Sequence, residues 1–264
     1  MKQAFTVLLI FLLFSCKEQS ASFEKIECSL SDSIPNSNLR KVFKPCREFI
    51  YSAKYWDAEY NLISKEQIWM MATGKAWGVQ PELQDEIIIQ YSYDFWKTNN
   101  IDGYSINPEF QHWSTNTGII ETASKTWMHP FRSNQYSFTE VAPFPSVEFP
   151  IEKGNTWSTT LEIYEGWGVW ANSTLSNSYE VVGLETISTE FGELEAWHVS
   201  STTSAEFGTS THDFWYHMEL GFVKMIIKNY AGQLLKGNKL GSFDTFIGTC
   251  QARGALLRAW RNGA

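Results

Sequence analysis

The sequence predicts a mainly β fold: an antiparallel meander forming a curved sheet, a sandwich or an open half-barrel, with one short N-terminal helix. Three observations carry this. Short aromatic and β-branched runs recur with a turn signal at roughly 8–12-residue intervals. Glycine, asparagine and proline punctuate those runs. No strand–helix–strand alternation occurs, which excludes doubly wound and α/β-barrel architectures.

Taken in order, Phe49, Ala53, Trp56 and Tyr60 fall at helical spacing behind Pro45, so the expected helix covers residues 46–60. Residues 67–77 and 86–96 read as strands, and 99–111 as a loop from its Asn, Asp, Gly and Pro content. Residues 119–127 and 135–141 read as further strands. The stretch APFPSVEFP, residues 142–150, holds three prolines and can serve only as an edge or a connector. From Ile151 the pattern is a regular meander, with strands expected at 156–165, 170–174, 179–187, 194–204, 211–217 and 222–230. Turns are expected at 165–168, Phe191-Gly192, Phe207-Gly208, 219–221 and Ala231-Gly232.

Ahead of this lies MKQAFTVLLIFLLFSC, residues 1–16. Its apolar run is about half of the roughly 20 residues that span a bilayer, so it reads as a processing segment. It resembles a bacterial lipoprotein signal peptide whose lipobox is Leu13-Phe14-Ser15-Cys16. The resemblance implies cleavage before Cys16 and palmitate-type acylation there, leaving residues 1–15 as the signal peptide. No later stretch approaches 18 uninterrupted apolar residues, so the membrane is expected as a partner through the acyl chains alone. Lys17-Glu18-Gln19 resembles in part the surface-export signal of Bacteroidota lipoproteins, with one acid where that signal has several. An outer-membrane location is expected; periplasmic and outward-facing orientations both stay open.

Residues 16–38, rich in Ser, Glu, Lys and Asn, read as the lipidated cysteine and a tether. Within them Asp32-Ser33-Ile34 resembles the short Bacteroidota O-glycosylation acceptor. Residues 39–249 read as a single β-rich domain. Residues 250–264 form an atypical tail that holds half of the chain's six arginines in a body that otherwise uses lysine.

The chain carries 21 basic against 29 acidic residues, a net charge of −8, and removal of residues 1–15 takes away Lys2 as well. With no basic cluster it offers nothing to nucleic acid or to anionic lipid heads. Aromatic residues make up 16% and charged residues 19%, the composition of a globular chain with a sizeable core. An oxidising envelope favours a disulfide. Cys28–Cys46 is the local pairing, and Cys250 with either one is the alternative. No metal or cofactor is expected, since the cysteines form no CxxC and have no neighbouring histidine.

From about residue 143 to 240 the chain resembles an uncharacterised family of exported bacterial β-domains. The cues are Phe191-Gly192-Glu193, Trp197-His198-Val199, Phe214-Trp215-Tyr216 and Leu220-Gly221-Phe222-Val223-Lys224. These motifs are structural and imply a β-rich envelope fold without an activity. The layout is also similar to lipoprotein carriers with an open half-barrel that holds acyl chains, an analogy of fold alone.

No G-x-S-x-G, HExxH, P-loop or GxGxxG occurs. On a strand, Asp213, Trp215 and His217 would share one face and His212, Phe214 and Tyr216 the other. Asp213 with His217 is therefore the candidate general-base pair of a hydrolase, against the plainer reading of a solvated face. Glu193 and Glu195 also share a face at a spacing that suits sugar hydrolysis, although exposed glutamates on an acidic protein usually serve solubility. Trp157, Trp167 and Trp170 gather around Glu165-Gly166-Trp167-Gly168; with Trp215 they are the candidate binding residues. Such rings stack on the apolar faces of sugars, line a lipid groove or fill the core. The first expectation is thus a non-enzymatic binding or envelope-assembly lipoprotein with an apolar groove in the curved sheet. A glycan-binding module is the second, and a hydrolase using Asp213 and His217 the third.

Overall fold

The structure is a computed structural model that describes residues 42–91, 114–132, 134–165, 167–189 and 192–244. The signal segment, Cys16, the tether, the 99–111 loop and the 250–264 tail lie outside the described residues.

Twelve strands follow one another: β1 (Arg47–Trp56), β2 (Leu62–Ala76), β3 (Asp85–Tyr91), β4 (Ser114–Glu121), β5 (Lys125–Met128), β6 (Ser146–Glu148), β7 (Thr156–Glu162), β8 (Thr174–Thr189), β9 (Gly192–Ala205), β10 (Gly208–His217), β11 (Gly221–Lys228) and β12 (Leu234–Asp244). They make one antiparallel sheet in the order β6-β5-β4-β3-β2-β1-β12-β11-β10-β9-β8-β7. The meander runs outward from the centre in both directions, so the first and last strands are neighbours and β6 and β7 form the two edges.

That order forces the sheet to curl. Laid flat, twelve strands would span roughly 50 Å. The link between the edges, residues 149–155, reaches at most about 30 Å. The halves accordingly face each other. Thr126 on β5 meets the Tyr216 hydroxyl on β10 at 3.1 Å, and the Tyr179 hydroxyl donates to the Phe144 carbonyl at 3.0 Å. The result is a mainly β, antiparallel half-barrel, as the sequence predicts.

The concave face is filled. The chain between β5 and β6 runs through it, and Phe131, Tyr136, Phe138, Ala142 and Phe144 pack there with almost no exposure. Tyr55 stacks on Phe138 at 5.6 Å, and Tyr51 meets Phe131 edge-on at 5.1 Å. Two sheet side chains hold adjacent carbonyls of this plug: Tyr179 binds that of Phe144 and His212 Nδ1, at 2.7 Å, that of Pro143.

Four expectations are corrected. Residues 46–60 form no helix but the strand β1, where Arg47, Phe49, Tyr51, Ala53 and Tyr55 alternate buried with more exposed neighbours. Phe49 and Ala53 are four apart, a spacing that suits a helix turn and two strand periods equally. Residues 135–141 lie instead in a 3₁₀ helix, Asn134–Val141, because inside the barrel the segment has no strand beside it and satisfies its backbone locally. Residues 119–127 are two strands, β4 and β5, joined by a turn in which Thr122 N–H donates to the Lys125 carbonyl at 2.8 Å. The expected strand at 170–174 begins with the 3₁₀ turn Gly168–Trp170, and β8 starts only at Thr174. One strand had no sequence counterpart: β12, which closes the centre of the sheet against β1 and β11. Cys46 is disulfide-bonded, and its partner, Cys28 in the local pairing, lies outside the described residues.

Candidate functional site

The candidate residues divide between two places. On the convex face, Trp215 and Asp213 of β10 stand beside His198 of β9 and Glu185 of β8. The ladder fixes this, since Trp215 pairs with His198 and Glu185 with Ala196. His198 lies flat against Trp215, with ring centroids 4.4 Å apart and planes 10° from parallel. Its Nδ1 is 2.9 Å from Glu185 Oε1 and its Nε2 is 3.1 Å from Asp213 Oδ1. Trp215 Nε1 donates to the other Glu185 oxygen at 2.7 Å, and Lys224 Nζ lies 3.9 Å above the indole. The Trp215 N–H bond, followed by His198 and Lys224, holds the Glu185 carboxyl below its ordinary range. Beneath this polar net sits a small apolar cluster of Ile187, Leu194, Ala196 and Val223.

Asp213 is therefore tied to His198. His217, at the end of β10, uses Nδ1 to accept from the backbone N–H groups of Glu219 and Leu220, both at 3.2 Å, and so fastens the β10–β11 turn. Glu193 and Glu195 stand exposed near the tip of the β8–β9 hairpin. Glu185 was not singled out from sequence, and His198 only as part of the structural cue Trp197-His198-Val199. Their signal, two strands in register with Trp215 and Asp213, needs the pairing to be known.

The second place is the end of the barrel where β1, β7, β9 and β11 finish. Trp170 donates from Nε1 to the Tyr230 hydroxyl at 2.9 Å and packs half-buried on the core. Trp157 is only 9% exposed and stacks on Tyr179 at 5.2 Å and 7°, which makes it a core ring. Trp167 is half-buried and faces the Arg132 guanidinium at 5.7 Å. Beside it Tyr164 and Val169 stand 73% and 88% exposed; Tyr60, on the β1–β2 turn at the same end, is 58% exposed, and its hydroxyl accepts from Lys228 Nζ at 2.7 Å.

Below Trp167, Arg132 Nη1 donates to His129 Nε2 at 2.8 Å and lies 3.5 Å from Glu140 Oε1. Because arginine has no acceptor, the His129 proton sits on Nδ1. Burial, reinforced by Arg132, pushes the His129 ring well below its ordinary range. Burial lifts the Glu140 carboxyl to about 7 against the pull of Arg132. Arg132, His129 and Glu140 also escaped sequence reading. The available signal was the scarcity of arginine in a lysine-using chain.

The chain enters the described structure at the opposite end. There the N–H groups of Val42 and Phe43 bind the Glu121 carboxylate at 2.9 and 2.8 Å, and Arg47 Nη1 donates to the Val42 and Glu219 carbonyls.

No family model and no curated protein matches this chain. Among solved structures it is similar to a candidate exported protein with a YmcC-like fold from Bacteroides fragilis. That match has 12% identity and a TM-score of 0.43, and covers 77% of this chain and 98% of the other. It is also similar to a candidate lipoprotein from Parabacteroides distasonis, at 10% identity and a TM-score of 0.42, covering 76% and 97%. A third is the hypothetical lipoprotein YmcC from Escherichia coli, at 10% identity and a TM-score of 0.35, covering 76% and 88%.

Proposed function

We propose that this chain is a cell-envelope lipoprotein, held to the outer membrane through acyl groups on Cys16, that works by binding rather than by chemistry. Its ligand on this reading is a glycan, taken at the loop end of the half-barrel. The observation that carries the reading is the set of side chains at that end: Tyr164, Val169 and Tyr60 exposed, with Trp167 braced on Arg132. Exposed aromatic faces match the apolar C–H faces of sugar rings. The described chain begins with Val42 at the other end of the strands, which supports an anchored molecule presenting this rim away from its membrane. β1 alone, with 10 residues, separates the two ends by roughly 30 Å.

The filled concave face weighs against the acyl carrier, because Phe131, Tyr136 and Phe138 occupy the volume an acyl chain would need. The convex cluster at Asp213 has its polar atoms spent on one another, which weighs against the hydrolase.

The test is affinity electrophoresis of the mature chain, carrying Cys16→Ser to keep it soluble, through gels containing polysaccharides. Retention that falls several-fold in Tyr164→Ala and Trp167→Ala is the expected result. An acyl lipid released from the purified protein in native mass spectrometry would overturn the reading in favour of the carrier.

A further inference from the structure

Arg132 is held unusually firmly for a residue at a rim. Its guanidinium carbon lies over the Trp167 ring, 5.7 Å from the centroid, and its Nη1 is engaged by His129 and Glu140. The side chain nevertheless keeps 21% of its surface exposed. Nη1 carries two of the five N–H donors, and the remaining three, on Nε and Nη2, have no partner among the described residues. The Nε–Nη2 edge of an arginine is the one that takes a carboxylate side-on through two parallel hydrogen bonds. Lysine could supply the charge but not that fork, and lysine is what this chain uses on most of its surface.

Resting on the glycan reading, we infer that the rim selects acidic polysaccharides, with the free Nε–Nη2 edge of Arg132 receiving a sugar carboxylate while the neighbouring aromatic side chains pack on the ring. His129 and Glu140 are positioning residues: they fix the guanidinium so that its free edge is presented before the ligand arrives. His129 suits that role. It is buried, its Nε2 lone pair is spent on Arg132, and its Nδ1 has no hydrogen-bond partner among the described residues. The chain's net charge of −8 repels a polyanion in general, so retention on one requires a local cationic reader.

The experiment compares polygalacturonate with its fully methyl-esterified form, a matched polymer without the charge. Mature Cys16→Ser chain is expected to prefer the acid by about tenfold or more, the range of a charge-assisted pair. Arg132→Lys keeps the charge and removes the fork, and should lose most of that preference while its thermal unfolding stays close to the parent's. Glu140→Gln removes one anchor of the guanidinium and should lower the preference for acid over ester, by less than Arg132→Lys does, with retention on the ester unchanged. Equal retention of the parent on acid and ester, with binding to both, overturns this inference and leaves the glycan reading standing. An undiminished preference in Arg132→Lys also overturns it. Failure to bind any of these polymers or any neutral polysaccharide overturns both.

Discussion

His212 and His198 occupy neighbouring strands and opposite faces, and their surroundings could hardly differ more. His212 of β10 is wholly buried and faces the plug, with Nδ1 on the Pro143 carbonyl and Nε2 without a hydrogen-bond partner among the described residues. Burial pushes its ring down to about 4. His198 of β9 lies on the convex face between two half-exposed carboxylates, flat against Trp215. The same residue type thus serves as a neutral strut inside and as a bridge between two carboxylates outside. The contrast shows where each face gets its stability. The interior depends on packing and on complete desolvation, whereas the outer net gains little from charges that water also solvates.

The largest expected effect tests the interior. Phe214 is fully buried, with His212 and Phe222 against its edge at 5.2 and 5.5 Å. Phe214→Ala should cost about 3–5 kcal/mol in urea unfolding. A cost below about 1 kcal/mol would mean that the concave face is not the core.

Next comes pH. His212 has its folded value depressed from 6.5 to about 4, so the unfolded chain binds the proton more readily and stability falls as pH drops from 6.5 towards 4. The full effect is about 3 kcal/mol. Glu140 has its folded value raised from 4.5 to about 7, so its contribution is present at low pH and lost as pH rises from 4.5 through 7. The two slopes oppose each other between pH 4.5 and 6.5. His129, also pushed well below its ordinary range by burial, adds to the His212 slope, so unfolding midpoints of the parent should fall as pH drops below 6.5. Glu140→Gln should steepen the acid-side loss, and His212→Gln should lessen it, leaving the part due to His129. Identical pH profiles for the three proteins would break the assignment.

The smallest effect belongs to the outer face. His198→Gln should cost no more than about 1 kcal/mol, less still in high salt, because both carboxylates it bridges are half-exposed. A salt-independent loss of several kcal/mol would show that the convex cluster is a second core and remove the contrast with His212.

The architecture was legible because strand texture survives in the sequence. In β8 and β9 apolar and polar residues alternate, glycines mark the turns, and no competing helical period is present. β1 was misread for a physical reason: Phe49 and Ala53 satisfy both periods, and the alternation that decides between them includes a buried Arg47. The 3₁₀ plug was misread because Tyr136, Phe138 and Val141 look like strand residues whatever the backbone around them does. Of the candidate site, Asp213 and Trp215 were found on one face. Their partners His198 and Glu185 come from other strands, and no local pattern announces a register.

The sequence by itself determined that the chain is β-rich, antiparallel and acidic, and that Cys16 stands in a lipobox-like setting. Those properties are local: a residue's preference for a pleated surface, a glycine's freedom at a turn and a short motif are each written within a few positions. Only the tertiary structure decided that the first and last strands meet at the centre of the sheet, that Phe131, Tyr136, Phe138 and Ala142 fill its hollow, and that Arg132 comes to rest beneath Trp167. Each joins residues distant in sequence. Such contacts are selected by the closing of one curled sheet around one core, where burying the plug's aromatic rings outweighs the cost of ordering it.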